Sequence, residues 1–226
     1  MNRSLADRAY SRIKKDLLTC TLEPGLQIAQ SQLVERYELG ITPVREALKR
    51  LEQEGYVQAI PRFGYLIAPI TIEDIGSIYE LRLILETSAV RLAAERATDV
   101  QLANIEQSAR FTYRYKDPQS YQQFLETNIT FHSSVAATSG NERLADAIAK
   151  LLDEMNRIFH VGLELRDSAE EMQTEHLALA GALVKRDAEL ARQIVQAQIT
   201  RSQQRVLEML EQRKSVRSQT TFTKQR

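Results

Sequence analysis

The hydrophobic period of the first seventy residues changes once, at Gly55, and that change limits what they can become. On the N-terminal side, GITPVREALKRLEQEG sets Val44, Ala47, Leu48 and Leu51 at helical spacing. Thr42 is suited to cap this helix, Pro43 fits its first position, where a missing N–H costs nothing, and Gly55 supplies a stop. On the C-terminal side, Tyr56-Val57-Gln58-Ala59-Ile60 and Tyr65-Leu66-Ile67-Ala68 read as two short strands joined by Pro61-Arg62-Phe63-Gly64. Ahead of the helix, Leu5, Ala9, Ile13, Leu17 and Leu18 mark an amphipathic first helix, and Leu22-Glu23-Pro24-Gly25 a turn. Ser31 is then placed to cap a short second helix through Leu33, Val34 and Tyr37. Three helices closed by a hairpin predict a winged helix-turn-helix over residues 1–69.

In that fold the third helix is the one whose amino end enters the major groove. Arg45, Lys49 and Arg50 lie off its packing face, Arg62 stands at the hairpin tip, and Gly64 permits a tight turn or a close backbone approach. Arg8, Arg12, Lys14 and Lys15 line the outer side of the first helix, where they could meet phosphates. The alternative is an ordinary amphipathic surface helix, with Arg45 paired to Glu46 or Glu52. Bulk charge does not decide the matter, because the formal net charge is zero and residues 1–70 hold ten Lys/Arg against eight Asp/Glu. A nucleic-acid footprint must come from local clustering.

At 43% apolar and 27% charged residues the composition is that of a soluble globular protein. No run approaches the ~18 apolar residues of a membrane span, and the start of the chain lacks the order of a signal peptide, so a cytoplasmic protein without membrane contact is expected. Cys20 is the single cysteine, which excludes an intramolecular disulfide and a thiolate metal cluster.

Ala68-Pro69-Ile70 reads as a linker. Thr71 with Asp74 then forms a capping-box pattern opening a helix to about Ala97. Further helices are predicted over 99–116, 118–138, 141–166, 169–186 and 188–211, separated by Asp117-Pro118, Ser139-Gly140-Asn141, Asp167-Ser168 and Asp187. The overall expectation is a mainly α protein, with an all-α bundle over 70–211 and a polar, disordered tail over 212–226.

Polar residues on apolar stripes are informative, since burying them without partners costs a few kcal/mol each. Asn128 and His132 fall on one face with Tyr121, Leu125 and Val135. His176 sits with Met172, Leu179 and Leu183, and Gln198 with Ala191 and Ile194. Four inward polar groups on three helices suggest a shared cavity. Arg82 lies at the centre of a face made by Ile75, Ile78, Ala89 and Ala93, and a buried guanidinium needs an anion: either a ligand carboxylate or Glu86, one turn on. His160 reads as ordinary.

The motifs LEPG, TPVREALKRLEQEGYV and PRFGYLIAP resemble the GntR family of bacterial transcription regulators, and ELRLILE, NITFH followed by TSGN, and EHLALAGALVKRD resemble the FCD effector domain of its FadR branch. Together the two resemblances cover residue 5 to about 207. They imply DNA contacts by Thr42, Arg45, Arg62 and Gly64; Lys49 is added from charge and position. Gly40-Ile41 stands where many members have a Ser-Arg pair. Many members of the branch hold a divalent metal with an Asp and three His. The matching positions here are Asn128, His132, His176 and Gln198, so zinc or nickel would rest on His132 and His176 and be held weakly. The competing account is a metal-free lining of Arg82, Asn128, His132, His176 and Gln198 around a small organic acid.

The function implied is that of a ligand-responsive regulator that binds a palindromic operator in double-stranded DNA as a homodimer. The enzyme alternative is a metal-dependent helical-bundle hydrolase using His132 and His176, but the chain carries no HExxH, HD pair or phosphate loop. A helical scaffold would leave the winged-helix motifs unexplained.

Overall fold

Ser4 starts the first helix, its hydroxyl accepting the Asp7 N–H at 3.0 Å, and α1 runs Leu5–Leu18. The computed structural model describes residues 4–162 and 167–223, which divide into two compact units, Met1–Thr71 and Ile72–Arg226. In the first unit α1 is followed by β1 (Gln27–Ile28), α2 (Gln30–Tyr37), α3 (Ile41–Gln53), β2 (Val57–Ile60) and β3 (Gly64–Ile67). Ala9, Ile13, Leu17, Leu33, Val44, Ala47, Leu48 and Leu51 are fully buried, so the three helices close on the apolar faces that the sequence pattern marks.

Three local expectations are corrected. The N-cap of α2 is Ala29 rather than Ser31, and the Gln32 side chain reaches back to accept the Ala29 N–H at 2.8 Å. The N-cap of α3 is Gly40, without a side-chain cap bond, so Thr42 lies inside the first turn. Pro43 is tolerated there because the first turn's N–H groups have no helical acceptor. The hairpin also gains a third strand. β1 pairs antiparallel with β3, Gln27 opposite Leu66 and Ile28 opposite Tyr65, giving the order β1-β3-β2. Two residues are too short to show a period of two, which is why β1 escapes the sequence pattern.

The extra strand explains Gly64. This residue has φ +101°, and a Cβ there would collide with the Ile28 carbonyl oxygen and lie 3.0 Å from the Ala29 Cα. Gly64 is therefore required by packing of the wing against the start of α2.

The second unit holds α4 (Ile72–Arg96), α5 (Asp99–Ser108), α6 (Pro118–Ala137), α7 (Glu142–Gly162), α8 (Ala169–Val184) and α9 (Ala188–Thr223). α4 packs against α6, α7, α8 and α9, so its mid-length residues lie at the centre of the bundle. Asp117 caps α6 through the Ser120 N–H at 3.1 Å, with Pro118 at the first position as the sequence indicates.

Two boundaries move. α5 ends at Ser108 rather than 116, because the Phe111 ring packs on Phe124 and Phe131 while buried Tyr113 packs on Tyr121 and Phe124. Tertiary burial of these rings outweighs local helix propensity. α9 continues to Thr223, past the boundary expected at 211, and residues 188–223 contain neither Gly nor Pro to stop it. Residues 163–166 of the expected fourth bundle helix, and 224–226 of the tail, lie outside the described residues.

Replacing Gly64 with Ala should lower the stability of the first unit by about 1–3 kcal/mol, the scale of one strained backbone position. Urea unfolding of wild type and variant reads this directly.

Candidate functional site

Within the first unit, the cations divide into two sets. Lys14 bonds Glu54 and the Tyr10 hydroxyl, each at 3.0 Å; Arg36 pairs with Asp16 at 3.0 Å; and Arg12 donates to the Tyr37 carbonyl at 2.7 Å. Arg50 pairs with Asp7 at 2.9 Å and lies 4.0 Å over the Tyr10 ring. These four help hold α1 against α2 and the C-terminal part of α3, so Arg12 and Lys14 of the expected phosphate row also have partners within the unit. Arg8, Lys15, Arg45, Lys49 and Arg62 are exposed and make no side-chain ion pair among the described residues. Arg45 pairs with neither Glu46 nor Glu52.

α3 thus presents Thr42, Arg45 and Lys49 to solvent on one side while Val44, Ala47, Leu48 and Leu51 bury the other. The Gln30 side chain fixes the start of α3 by donating to the Ile41 carbonyl at 3.2 Å. At the wing, Arg62 sits at φ +70° and the turn closes with Phe63 N–H donating to the Ile60 carbonyl at 3.0 Å. Two large apolar side chains missed at the sequence level flank these polar groups: Ile41 is 64% exposed and Phe63 67%. Their signal was present as apolar residues lying off both apolar stripes.

In the second unit a chain of buried charge runs from α4 to α6. The Arg82 guanidinium bonds Glu86 through Nε, and the other oxygen of Glu86 accepts from His132 Nδ1 at 3.2 Å. All three side chains are buried. His132 and His176 lie with ring centroids 5.3 Å apart, Phe111 stacks on His176 at 4.5 Å, and Phe131 meets its edge at 5.0 Å. Asn128 is buried one turn before His132. Gln198 is buried on α9 one turn before Ser202, whose hydroxyl pairs with that of Tyr79 at 2.8 Å. All five residues expected on inward faces are therefore buried, and of the two partners the spacing allowed Arg82, it is Glu86 that meets it.

Several polar atoms there have no partner. Arg82 Nη1, Asn128 Oδ1, both ring nitrogens of His176 and Gln198 Oε1 are buried without a hydrogen bond. Native proteins leave few such atoms, and each marks a position where a ligand or solvent can complete the bonding. Burial holds the His176 imidazolium well below the ordinary histidine range, with His132 and Arg82 adding to it. Glu86 goes the other way: burial pushes its carboxyl up, but the Arg82 guanidinium, assisted by His132, brings it down to about 2 from 4.5.

The fit to a divalent metal is partial. With metal–nitrogen bonds of about 2.1 Å, two imidazoles on one tetrahedral ion have centroids roughly 5 Å apart, as His132 and His176 do. The donor set supplies no charge, however, because Glu86 is committed to Arg82 and His132 and the remaining candidates are amides. No group of three or more His, Cys, Asp or Glu is arranged to hold a metal among the described residues. Tight zinc or nickel binding is not what these donors favour.

A winged helix joined in one chain to a helical bundle with buried polar residues defines a class, the two-domain transcription regulators. Residues 5–67 match the bacterial regulatory proteins of the gntR family and residues 77–201 match the FCD domain. The chain belongs to the gntR family of regulators that carry an FCD domain. It is 28% identical over 210 residues to YdhC of Bacillus subtilis (strain 168), an uncharacterized HTH-type transcriptional regulator, spanning 91% of this chain and 92% of the relative. It is 25% identical over 194 residues to the HTH-type transcriptional repressor GlaR of Escherichia coli (strain K12), covering 82% and 88%. The solved structure of E. coli McbR/YncC superposes with a TM-score of 0.72 at 27% identity, over 93% of this chain and 99% of that one. The family and these relatives are transcription regulators, not enzymes, which removes the hydrolase alternative.

Because Arg82 and Glu86 are buried together, removing one leaves the other uncompensated. Glu86→Ala should destabilise the second unit by about 3–5 kcal/mol, and the double change Arg82→Met with Glu86→Leu should recover most of it. The depressed Glu86 carboxyl contributes stability in full above pH 4.5 and loses it as pH falls from there toward about 2. Denaturant unfolding over that window, wild type against the double variant, should show the steeper decline in wild type.

Proposed function

We propose that this protein is an effector-responsive transcription regulator that binds a palindromic operator as a homodimer. The observation that carries the reading is the division of cations in the first unit: four are committed internally, while Arg45, Lys49 and Arg62 are exposed and unpaired on the two elements that a winged helix applies to DNA. Thr42 and Arg45 meet base edges or the adjacent phosphates in the major groove. Lys49 adds a phosphate contact, and Arg62 with the backbone at Gly64 sets the wing against the minor groove or the sugar-phosphate edge. Ile41 presents an apolar group suited to a thymine methyl.

One winged helix makes few base contacts, and a symmetric pair reads both halves of a palindrome. On α4, Leu81 and Ile84 are 46% and 57% exposed, large apolar groups one turn apart that a second copy can cover. The effector is a small organic molecule held in the second unit by Arg82, Asn128, His132, His176 and Gln198. A carboxylate there would have to compete with Glu86 for Arg82. Effector and operator affinities are linked reciprocally, so a molecule that binds both states equally switches nothing. The protein acts in the cytoplasm, where its operator lies.

The test is a titration of the protein against a duplex from its own upstream region, over a salt series with a scrambled duplex as control. Log affinity should fall against log salt by about 0.9 per neutralised phosphate, with preference for the native duplex; no preference for it would count against sequence-specific regulation there. Arg45→Ala should cost about 1–3 kcal/mol of operator affinity, and Lys49→Ala should reduce the salt slope by about one, while light scattering still shows a dimer. Exhaustive dialysis against a chelator should leave the effector response intact. Its loss, with restoration by zinc or nickel, would assign His132 and His176 to a metal.

A further inference from the structure

The tip of the hairpin sets a cation beside a large apolar side chain and holds both out into solvent on a braced loop. Pro61 presets the backbone at the first corner of the turn, and the Phe63 N–H closes it by donating to the Ile60 carbonyl at 3.0 Å. Arg62 occupies the second corner at φ +70°, a left-handed position that glycine would fill without strain. Strain of this kind is retained where the side chain has a task. Phe63 follows, 67% exposed. The loop is braced from three sides. Gly64 lies so close to the Ile28 carbonyl that it has no room for a Cβ, the Gln27 side-chain amide reaches the Phe63 carbonyl at 3.5 Å, and the Ala59 N–H of β2 donates to Glu52 at 2.9 Å. That last bond ties the wing to the C-terminal part of α3.

A single exposed apolar residue is ordinary in itself. Phe63 differs in its place, at the apex of the wing, beside a cation and on a backbone with few alternative conformations. The minor groove is about 6 Å wide and its base edges carry a degenerate code, so an apolar side chain gains little by touching them. What such a side chain does there is enter between two base pairs, partly unstacking the step and kinking the duplex. The braced loop favours this, because a group already fixed in place loses little further freedom on insertion. Resting on the reading of α3 and the wing as the operator-binding surface, we infer that Phe63 is a minor-groove wedge, which inserts at a base step beside each half-site and bends the operator. Arg62 holds the adjacent phosphates against the wedge. Pyrimidine–purine steps kink most readily, so Phe63 favours TA or CA/TG at that position without a hydrogen bond to any base. This adds specificity at base pairs that Thr42 and Arg45 do not contact.

The test measures the bend. A duplex from the protein's own upstream region is prepared as a circularly permuted set, and gel mobility with the full-length protein gives the bend angle. Wild type should prefer this duplex to a scrambled one and bend it by at least about 20°, the lower end for apolar wedges. Phe63→Ala removes an exposed side chain, so its thermal midpoint should match wild type. In that variant the bend should be lost and affinity should fall roughly tenfold, the scale of one lost aromatic contact to a base. The slope of log affinity against log salt should stay the same, since no phosphate contact is removed. Phe63→Leu, which keeps an inserting apolar group, should restore most of the bend. A bend absent in wild type, or unchanged in Phe63→Ala, would overturn the wedge and leave α3 standing as the element that reads DNA. So would a lost bend accompanied by a shallower salt slope, because the variant would then have displaced the whole wing. If wild type shows no preference for the native duplex, the regulator reading fails there and the wedge falls with it.

Discussion

The burial of Arg82 is the constraint on which the second unit depends. A guanidinium at 2% exposure in the middle of a helix is tolerable only if an anion is held against it, and Glu86 one turn away fulfils that condition from within α4. The requirement then spreads outward. Glu86 has a second oxygen, which fixes His132 on α6, and His132 packs edge-on against His176 on α8. Packing alone could hold these helices together in several registers. The buried polar chain requires that particular residues face one another, because a shift of one turn would strand a charge.

The first unit settles its charges by a different route. Its core is apolar throughout, and polar bonds are placed at the margins, where Glu54 gathers Tyr10 and Lys14, Asp7 gathers Arg50, and Asp16 gathers Arg36 and Tyr37. These pairs lie in partly exposed surroundings, so each contributes little to stability. Their functional effect is one of selection: they engage some cations and leave Arg8 and Lys15 on α1, Arg45 and Lys49 on α3 and Arg62 on the wing open. A unit with nearly balanced composition can in this way present a cationic face, and the zero net charge of the chain does not argue against a DNA-binding role.

The two units also differ in where their unsatisfied groups lie. In the first they are exposed cations, which water solvates freely and which a polyanion can engage by displacing counterions. In the second they are buried atoms on Arg82, Asn128, His176 and Gln198, which water cannot reach freely. One arrangement suits a large partner with a repeating charge, the other a small enclosed one. The match to a DNA-binding family at one end of the chain and to an effector-domain family at the other follows the same division.

The sequence by itself determined the element types, their order and the buried faces, because those follow from local period: Val44, Ala47, Leu48 and Leu51 repeat every three to four residues, and the change at Gly55 marks the hairpin. It also marked Arg82, Asn128, His132, His176 and Gln198 as inward polar residues, since a polar side chain on an apolar stripe is visible without a fold. Only the tertiary structure decided the rest. β1 exists because β3 lies beside it, Gly64 is fixed by the Ile28 carbonyl across that pairing, and α5 stops at Ser108 because aromatic rings beyond it find a better place in the core than on a helix. The choice of Glu86 over an outside anion as the partner of Arg82 belongs to this second group. Spacing allowed either, and the choice was made by burial and by the second bond from His132, neither of which is a local property of the chain.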